Sequence, residues 1–221
     1  LLYAALGDSI TYGYEATTDQ AGYVRRFAKA LSKRQPVNVF LNAKPGWTSK
    51  QLLKSLSQVQ ECIWAEAKVV TIMVGGNDIL KASPWLLNGS DKTVFKIAQR
   101  VQDHLEQMVE TVRQPGATVV IGTIYNPFPN SVLAEEYMDT VNKSILRVAE
   151  QHNLAVADVR SLFRNQEDKY IKGYKQGVLR DMRLIGNPIH PNDAGHQAIA
   201  RSFLSAYRRA VAKARRSKQK A

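Results

Sequence analysis

The chain has 221 residues, 44% apolar and 23% charged, the values of a globular protein with a sizeable core; disordered, collagen-like and coiled-coil classes are excluded. Its length suits one compact α/β domain, and no apolar run approaches the ~20 residues that a membrane-spanning helix needs. The net charge is +12, but seven basic residues (Arg208, Arg209, Lys213, Arg215, Arg216, Lys218 and Lys220) follow Tyr207 with no acid among them, leaving +5 for the rest.

Residues 1–207 therefore read as a single α/β domain and 208–221 as a basic C-terminal tail, a solvated helix end fraying into disorder. No nucleic-acid partner is expected; contact of the tail with an anionic or membrane surface stays open as a weaker alternative. The single cysteine, Cys62, excludes an internal disulfide and a zinc site of several thiolates, and is expected as a small buried hydrophobe. Oligomeric state is left open. So is location, with an extracellular or cell-surface site favoured if an upstream signal segment has been removed.

In chain order, strand-length apolar runs alternate with stretches of helical period. Strands are predicted at 2–6, 37–41, 69–74, 119–122 and 154–158. Amphipathic helices are predicted around Val24, Phe27, Ala28 and Leu31, and around Leu52, Leu53, Leu56 and Val59 after an N-cap at Thr48 or Ser49. Three longer helices follow, over 93–112, 131–151 and 192–212, the last opened by the Pro191-Asn192-Asp193 turn. The central strands lack polar alternation, so both of their faces need covering. That implies a three-layer α/β/α sandwich around a central, mainly parallel five-stranded sheet. Functional residues should then gather on loops outside the carboxyl ends of the strands.

Three of those loops carry chemistry. Gly7-Asp8-Ser9-Ile10-Thr11 leaves the Ser9 hydroxyl at the end of the first strand, although a serine in a turn can simply bond local backbone. Gly75-Gly76-Asn77-Asp78 follows the third strand, where Asn77 either aims its amide at a developing negative charge or closes an Asx-turn. After the second strand, Asn42-Ala43-Lys44-Pro45-Gly46-Trp47-Thr48 offers the Gly46 N–H near a helix N-terminus, a setting that favours anions. Near the C-terminus, His190 is flanked by turn-forming residues ahead of the last helix, which makes its imidazole available as a base. His104 and His152 read as surface or boundary residues without chemistry, and His196 as a locally packed residue at the start of the final helix. A metal site from His190, Asp193 and His196 has no familiar ligand spacing and is set aside.

Together the segments resemble the SGNH hydrolases, the GDSL-type lipases and esterases, whose fold is flavodoxin-like. Gly7-Asp8-Ser9 is similar to that family's nucleophile block, Gly46 to the glycine of its second block, Gly75-Gly76-Asn77-Asp78 to its G-x-N-D block, and His190-Pro191 to its last block. The resemblance implies serine-dependent hydrolysis of carboxylic esters through an acyl-enzyme on Ser9, with His190 as general base. It also implies an oxyanion hole from the Ser9 and Gly46 N–H groups and the Asn77 side chain, and neither cofactor nor metal. One residue departs from the pattern: where the family places Asp three residues before the histidine, this chain has Asn187. The expectation is a Ser-His dyad with Asn187 as a neutral orienter, a backbone carbonyl or another carboxylate being the alternatives.

The predicted rim is rich in aromatic and apolar residues. Trp47, Ile79, Trp85 and Ile189 are the expected substrate-binding set, with Tyr12, Tyr14, Leu80, Tyr125 and Phe128 nearby; Tyr125 and Phe128 read chiefly as structural. The 83–89 loop carrying Trp85 is expected as a lid or pocket wall. The partner is a small ester, acyl or acetylated. An acyltransferase or a carbohydrate deacetylase on the same site, and a non-catalytic binding module weakened by Asn187, remain alternatives.

Overall fold

The computed structural model describes residues 1–86, 91–183 and 186–219; the side chains of 83–86, 91 and 218 fall outside that description. Five strands, β1 (Leu2–Gly7), β2 (Asn38–Ala43), β3 (Ala67–Met73), β4 (Thr118–Gly122) and β5 (Ala155–Ala157), form one sheet in the order β2-β1-β3-β4-β5. Every pairing is parallel, where the sequence reading allowed a mainly parallel sheet.

Alternate residues of each strand enter different cores. Ala4, Leu6, Val70, Ile72 and Ile121 pack on one face beneath α3 (Ser49–Leu56), α5 (Gly76–Leu86), α6 (Asp91–Val112) and α7 (Val132–Gln151). Tyr3, Ala5, Val69, Met73, Val120 and Ala157 face the opposite layer, α2 (Tyr23–Ser32) and α10 (Asp193–Lys218). The central strands β1, β3 and β4 are buried on both faces, which is why they carry no polar alternation, while the edge strand β2 stays partly exposed. Two buried hydroxyl pairs on this side satisfy themselves: Tyr3 Oη and Thr71 Oγ1 are 2.8 Å apart, and Thr11 Oγ1 and Tyr23 Oη 2.9 Å apart.

Helix starts follow the sequence signals. The Thr48 side chain accepts from Gln51 N–H and Gln51 reciprocates in a capping box on α3; Ser131 caps α7, and Asn192 caps α10 through Gly195 N–H. Two expectations are corrected. Cys62 is exposed, because the short helix α4 (Glu61–Glu66) turns Trp64 inward instead. The basic stretch is helical as far as Lys218: α10 crosses residues 207 and 208 without a break and is exposed over 212–217. The single short turns α1 (Ser9–Tyr12), α8 (Val159–Phe163) and α9 (Glu167–Tyr170) complete the helices.

The strand order reverses at β1. From β1 the chain goes to β2 on one side and then to β3 on the other, so a crevice opens outside the carboxyl ends of β1 and β3.

Candidate active site

Register brings three of the loops to one place. Gly7, last residue of β1, lies level with Ala43 on β2 and with Met73 on β3, so the Ser9, Gly46 and Asn77 turns all leave the sheet from the same row. Gly7 is sterically required: a Cβ there would lie 2.0 Å from Thr11 Oγ1 and 2.5 Å from the Met73 carbonyl. The chain then turns into α1, whose N-cap Asp8 accepts from Ile10 N–H at 3.0 Å. Ser9 is thus the first residue of a helical turn, where backbone N–H groups have no helical acceptor. Burial pushes the Asp8 carboxyl up to about 7, with the Asp78 charge adding to the effect.

The second and third loops are stitched together. Gly46 sits at φ 79°, a left-handed backbone that glycine adopts without a Cβ penalty. Asn77 Nδ2 donates to the Trp47 carbonyl at 2.9 Å. Asp78 accepts from Ser49 N–H at 2.9 Å and from Ser49 Oγ at 2.7 Å, and Ser49 Oγ is 2.8 Å from His104 Nδ1. His104, expected without a partner of this kind, is therefore half-buried in a hydrogen-bond chain that ties α6 to the floor of the site. Burial raises the Asp78 carboxyl and lowers His104.

The fourth loop arrives from 181 residues away. His190 Nε2 lies 3.1 Å from Ser9 Oγ. Its segment is fixed by backbone bonds from Lys172 N–H to the His190 carbonyl at 2.9 Å and from Asn192 N–H to the Tyr170 carbonyl at 2.8 Å, and by Tyr125 Oη donating to the Ile189 carbonyl at 2.6 Å. Burial, with the Lys172 cation second, lowers His190 to about 4, so the ring is neutral near pH 7. With Nε2 accepting from the Ser9 hydroxyl, the ring proton resides on Nδ1.

Asn187 does not face that proton. Its Oδ1 accepts from the Arg183 N–H, a local turn bond, and among the described contacts it makes none with the ring, in place of the expected pairing. The group beside Nδ1 is Glu15, with Oε2 at 3.7 Å. Glu15 belongs to none of the recognised segments, and no local pattern singles it out. The Tyr14 ring also packs on His190, centroids 4.7 Å apart.

A small cavity of about 50 Å³ adjoins the pair, lined by Ser9, Asn77 and His190 on its polar side and by Leu80, Ile124, Met138 and Ile189 among its apolar residues. Ile189 lines this cavity. Ile79 does not: it is buried in the core beneath the sheet, and its neighbour Leu80 lines the cavity in its place, since consecutive helical residues point about 100° apart. Trp47 is half-buried against that core, with its carbonyl on Asn77. Trp85 falls among the side chains outside the described residues, while the backbone of 83–86 continues α5 rather than forming a loop. Phe128 is structural; Tyr125 both supports Ile189 and lines the cavity. Asp193 turns to Thr17, accepting from its N–H and hydroxyl at 3.0 and 2.5 Å, away from any joint site with His190 and His196.

Comparison with known proteins gives the family to which the chain belongs. The chain is similar to the spore germination lipase LipC of Bacillus licheniformis, 25% identical across 93% of this chain and 96% of that one. Among solved structures it resembles the lipase Lip_vut3 from a goat rumen metagenome, with a TM-score of 0.77, 22% identity, and coverage of 94% of this chain and 98% of that one. It also resembles an acetyl xylan esterase from Geobacillus stearothermophilus, with a TM-score of 0.66, 19% identity, and coverage of 93% and 94%. Residues 5–198 match the model of the GDSL-like lipase/acylhydrolase family, a span that takes in every loop of the crevice, and the chain belongs to that family of ester-cleaving enzymes.

Proposed function

We propose that this protein hydrolyses carboxylic esters of short acyl chains through a covalent acyl-enzyme on Ser9. The observation that carries the reading is the 3.1 Å contact between Ser9 Oγ and His190 Nε2 at the mouth of a cavity that Asn77 also lines. A hydroxyl and a neutral imidazole at that distance form a nucleophile and its base. Ser9 Oγ attacks the ester carbonyl carbon as His190 Nε2 takes the hydroxyl proton. Negative charge then develops on the carbonyl oxygen, where the Ser9 and Gly46 N–H groups and the second hydrogen of the Asn77 amide serve as donors. Collapse breaks the bond to the alcohol, which leaves with the proton from Nε2. Water, activated by the same nitrogen, releases the acid and restores Ser9. No cofactor enters this sequence of steps.

The cavity supports a short acyl group. Its walls beyond the polar rim are Met73, Leu80, Ile124 and Met138, around a volume of about 50 Å³, room for one or two water-sized groups at ~30 Å³ each. A short acyl group such as acetyl suits that space. Acetylated sugars are then candidate substrates, in keeping with the acetyl xylan esterase among the structural relatives.

The test is a panel of p-nitrophenyl esters from acetate to palmitate, run beside acetylated sugars, on the wild type and Ser9→Ala. The expected result is highest kcat/KM on acetate to butyrate and loss of at least ~10³-fold in Ser9→Ala. Equal turnover by the two proteins removes Ser9 from the reaction. Preference for palmitate removes the short-chain assignment.

A further inference from the structure

We infer that Glu15 is the positioning residue of His190, taking the place of the acid that the family resemblance puts at position 187. This inference rests on the Ser9–His190 reading above.

Glu15 Oε2 stands 3.7 Å from His190 Nδ1, the nitrogen left to carry the ring proton when Nε2 faces Ser9, and both side chains are largely shielded from water. Position 187 holds an uncharged amide whose Oδ1 accepts from Arg183 N–H within its own turn. The other charged or titratable groups bearing on His190 are the Lys172 cation, which opposes an imidazolium, and the buried His196 ring. Glu15 is the carboxylate whose oxygen stands beside Nδ1.

The backbone supports the same conclusion. Glu15 sits at φ 63°, and the other non-glycine residues with positive φ among those described are Asn153 and Asn165, of a type that tolerates this region. A glutamate has no local reason to be there. Such a conformation persists where surrounding structure over-determines it, and the surroundings here come from both halves of the site. On the nucleophile side, Tyr14 N–H donates to the Ser9 carbonyl at 2.9 Å and Ala16 N–H to the Gly13 carbonyl at 3.1 Å. On the base side, Thr17 is held by the Asp193 carboxylate in the first turn of α10, three residues after His190. The loop that presents Glu15 is therefore clamped between the Ser9 turn and the His190 segment.

The step balances without a further reactant. When Ser9 gives its proton to Nε2, the ring holds two protons and a positive charge; the Nδ1 proton stays on the ring, facing the ionised Glu15, and no proton passes to the carboxylate. Nε2 then returns its proton to the leaving alkoxide. The 3.7 Å separation is an ion-pair distance, longer than a formed hydrogen bond, and contacts of this kind shorten when substrate excludes water.

Glu15→Gln, Glu15→Asp and Glu15→Gly, with Ser9→Ala as reference, are assayed on p-nitrophenyl acetate. Glu15→Gln and Glu15→Gly are expected to lose ~10²- to 10⁴-fold in kcat with KM within about threefold, and Glu15→Asp to retain an intermediate rate. Glu15→Gly should melt at or above the wild-type temperature, since glycine accepts φ 63° freely. Added sodium formate should restore its rate in a concentration-dependent manner, a response that a merely structural role does not give. Glu15→Gln with kcat within threefold of wild type overturns the inference. So does a Glu15→Gly loss that tracks a fall in melting temperature and ignores formate. Full activity in Ser9→Ala would instead sink the underlying Ser9 reading, so the two failures are distinct.

Discussion

Asn77→Ala separates the chemistry of the crevice from its architecture. The Asn77 amide has two hydrogens. One is held by the Trp47 carbonyl at 2.9 Å, and the other is free for the cavity that Ser9 and His190 share. Truncation therefore removes one structural hydrogen bond and one oxyanion donor at once. The first is a part-buried bond between neutral groups, of the kind that contributes about 1 kcal/mol, or ~2–4 °C of melting temperature for a chain of this size. The second, measured by removal in other acyl-transfer enzymes, is ~3 kcal/mol of transition-state stabilisation, a ~10²- to 10³-fold loss in kcat. The catalytic effect should dominate. The assay is kcat and KM on p-nitrophenyl acetate together with thermal unfolding of the same preparation. Asn77→Asp, which keeps the shape but loses the donor and adds negative charge, should be no better than Asn77→Ala. A kcat within fivefold of wild type for Asn77→Ala, or a loss confined to KM, would refute the oxyanion role.

Two further outcomes follow from burial. His190 is lowered to about 4 chiefly by desolvation, and the neutral ring is the active form. The acid limb of kcat/KM should therefore fall as pH drops toward 4 to 5 rather than near the usual 6.5, and a pH–rate profile with its midpoint at or above 6.5 would contradict this. Asp8 behaves in the opposite sense, raised by burial from 3.8 in the unfolded chain to about 7 in the fold. The folded state keeps a proton that the unfolded chain releases, so this residue's contribution to stability is full below about 4 and is lost as pH rises to about 7. Asp8→Asn retains an oxygen for Ile10 N–H and does not titrate. It should exceed wild type in unfolding free energy at pH 8 by up to a few kcal/mol and lose that advantage at pH 4. An equal advantage at both would show that ionisation of Asp8 is not the cause.

Much of the molecule is local, and the amino-acid order alone determined it. The central strands are runs apolar on both faces, the long helices are periodic and bear caps at Thr48, Ser131 and Asn192, and the turns bearing Ser9, Gly46, Asn77 and His190 are short segments whose order along the chain carries the family resemblance. Periodicity and capping depend on neighbours within a few positions, and these survive folding unchanged. What only the tertiary structure decided are relations between segments. Ile79 and Leu80 are equally apolar neighbours on one helix, and only the packing of α5 determines which enters the core and which lines the cavity. His104 acquires Ser49 and Asp78 because α6 lies beside α3. Glu15, for which the sequence carries no expectation, comes to lie beside His190 for the same reason. The hydrogen-bond appetite of Asn187 is met inside its own turn, and the carboxylate that reaches His190 is delivered across 175 residues of chain by a clamp between Ser9 and Asp193 that no spacing in the sequence encodes.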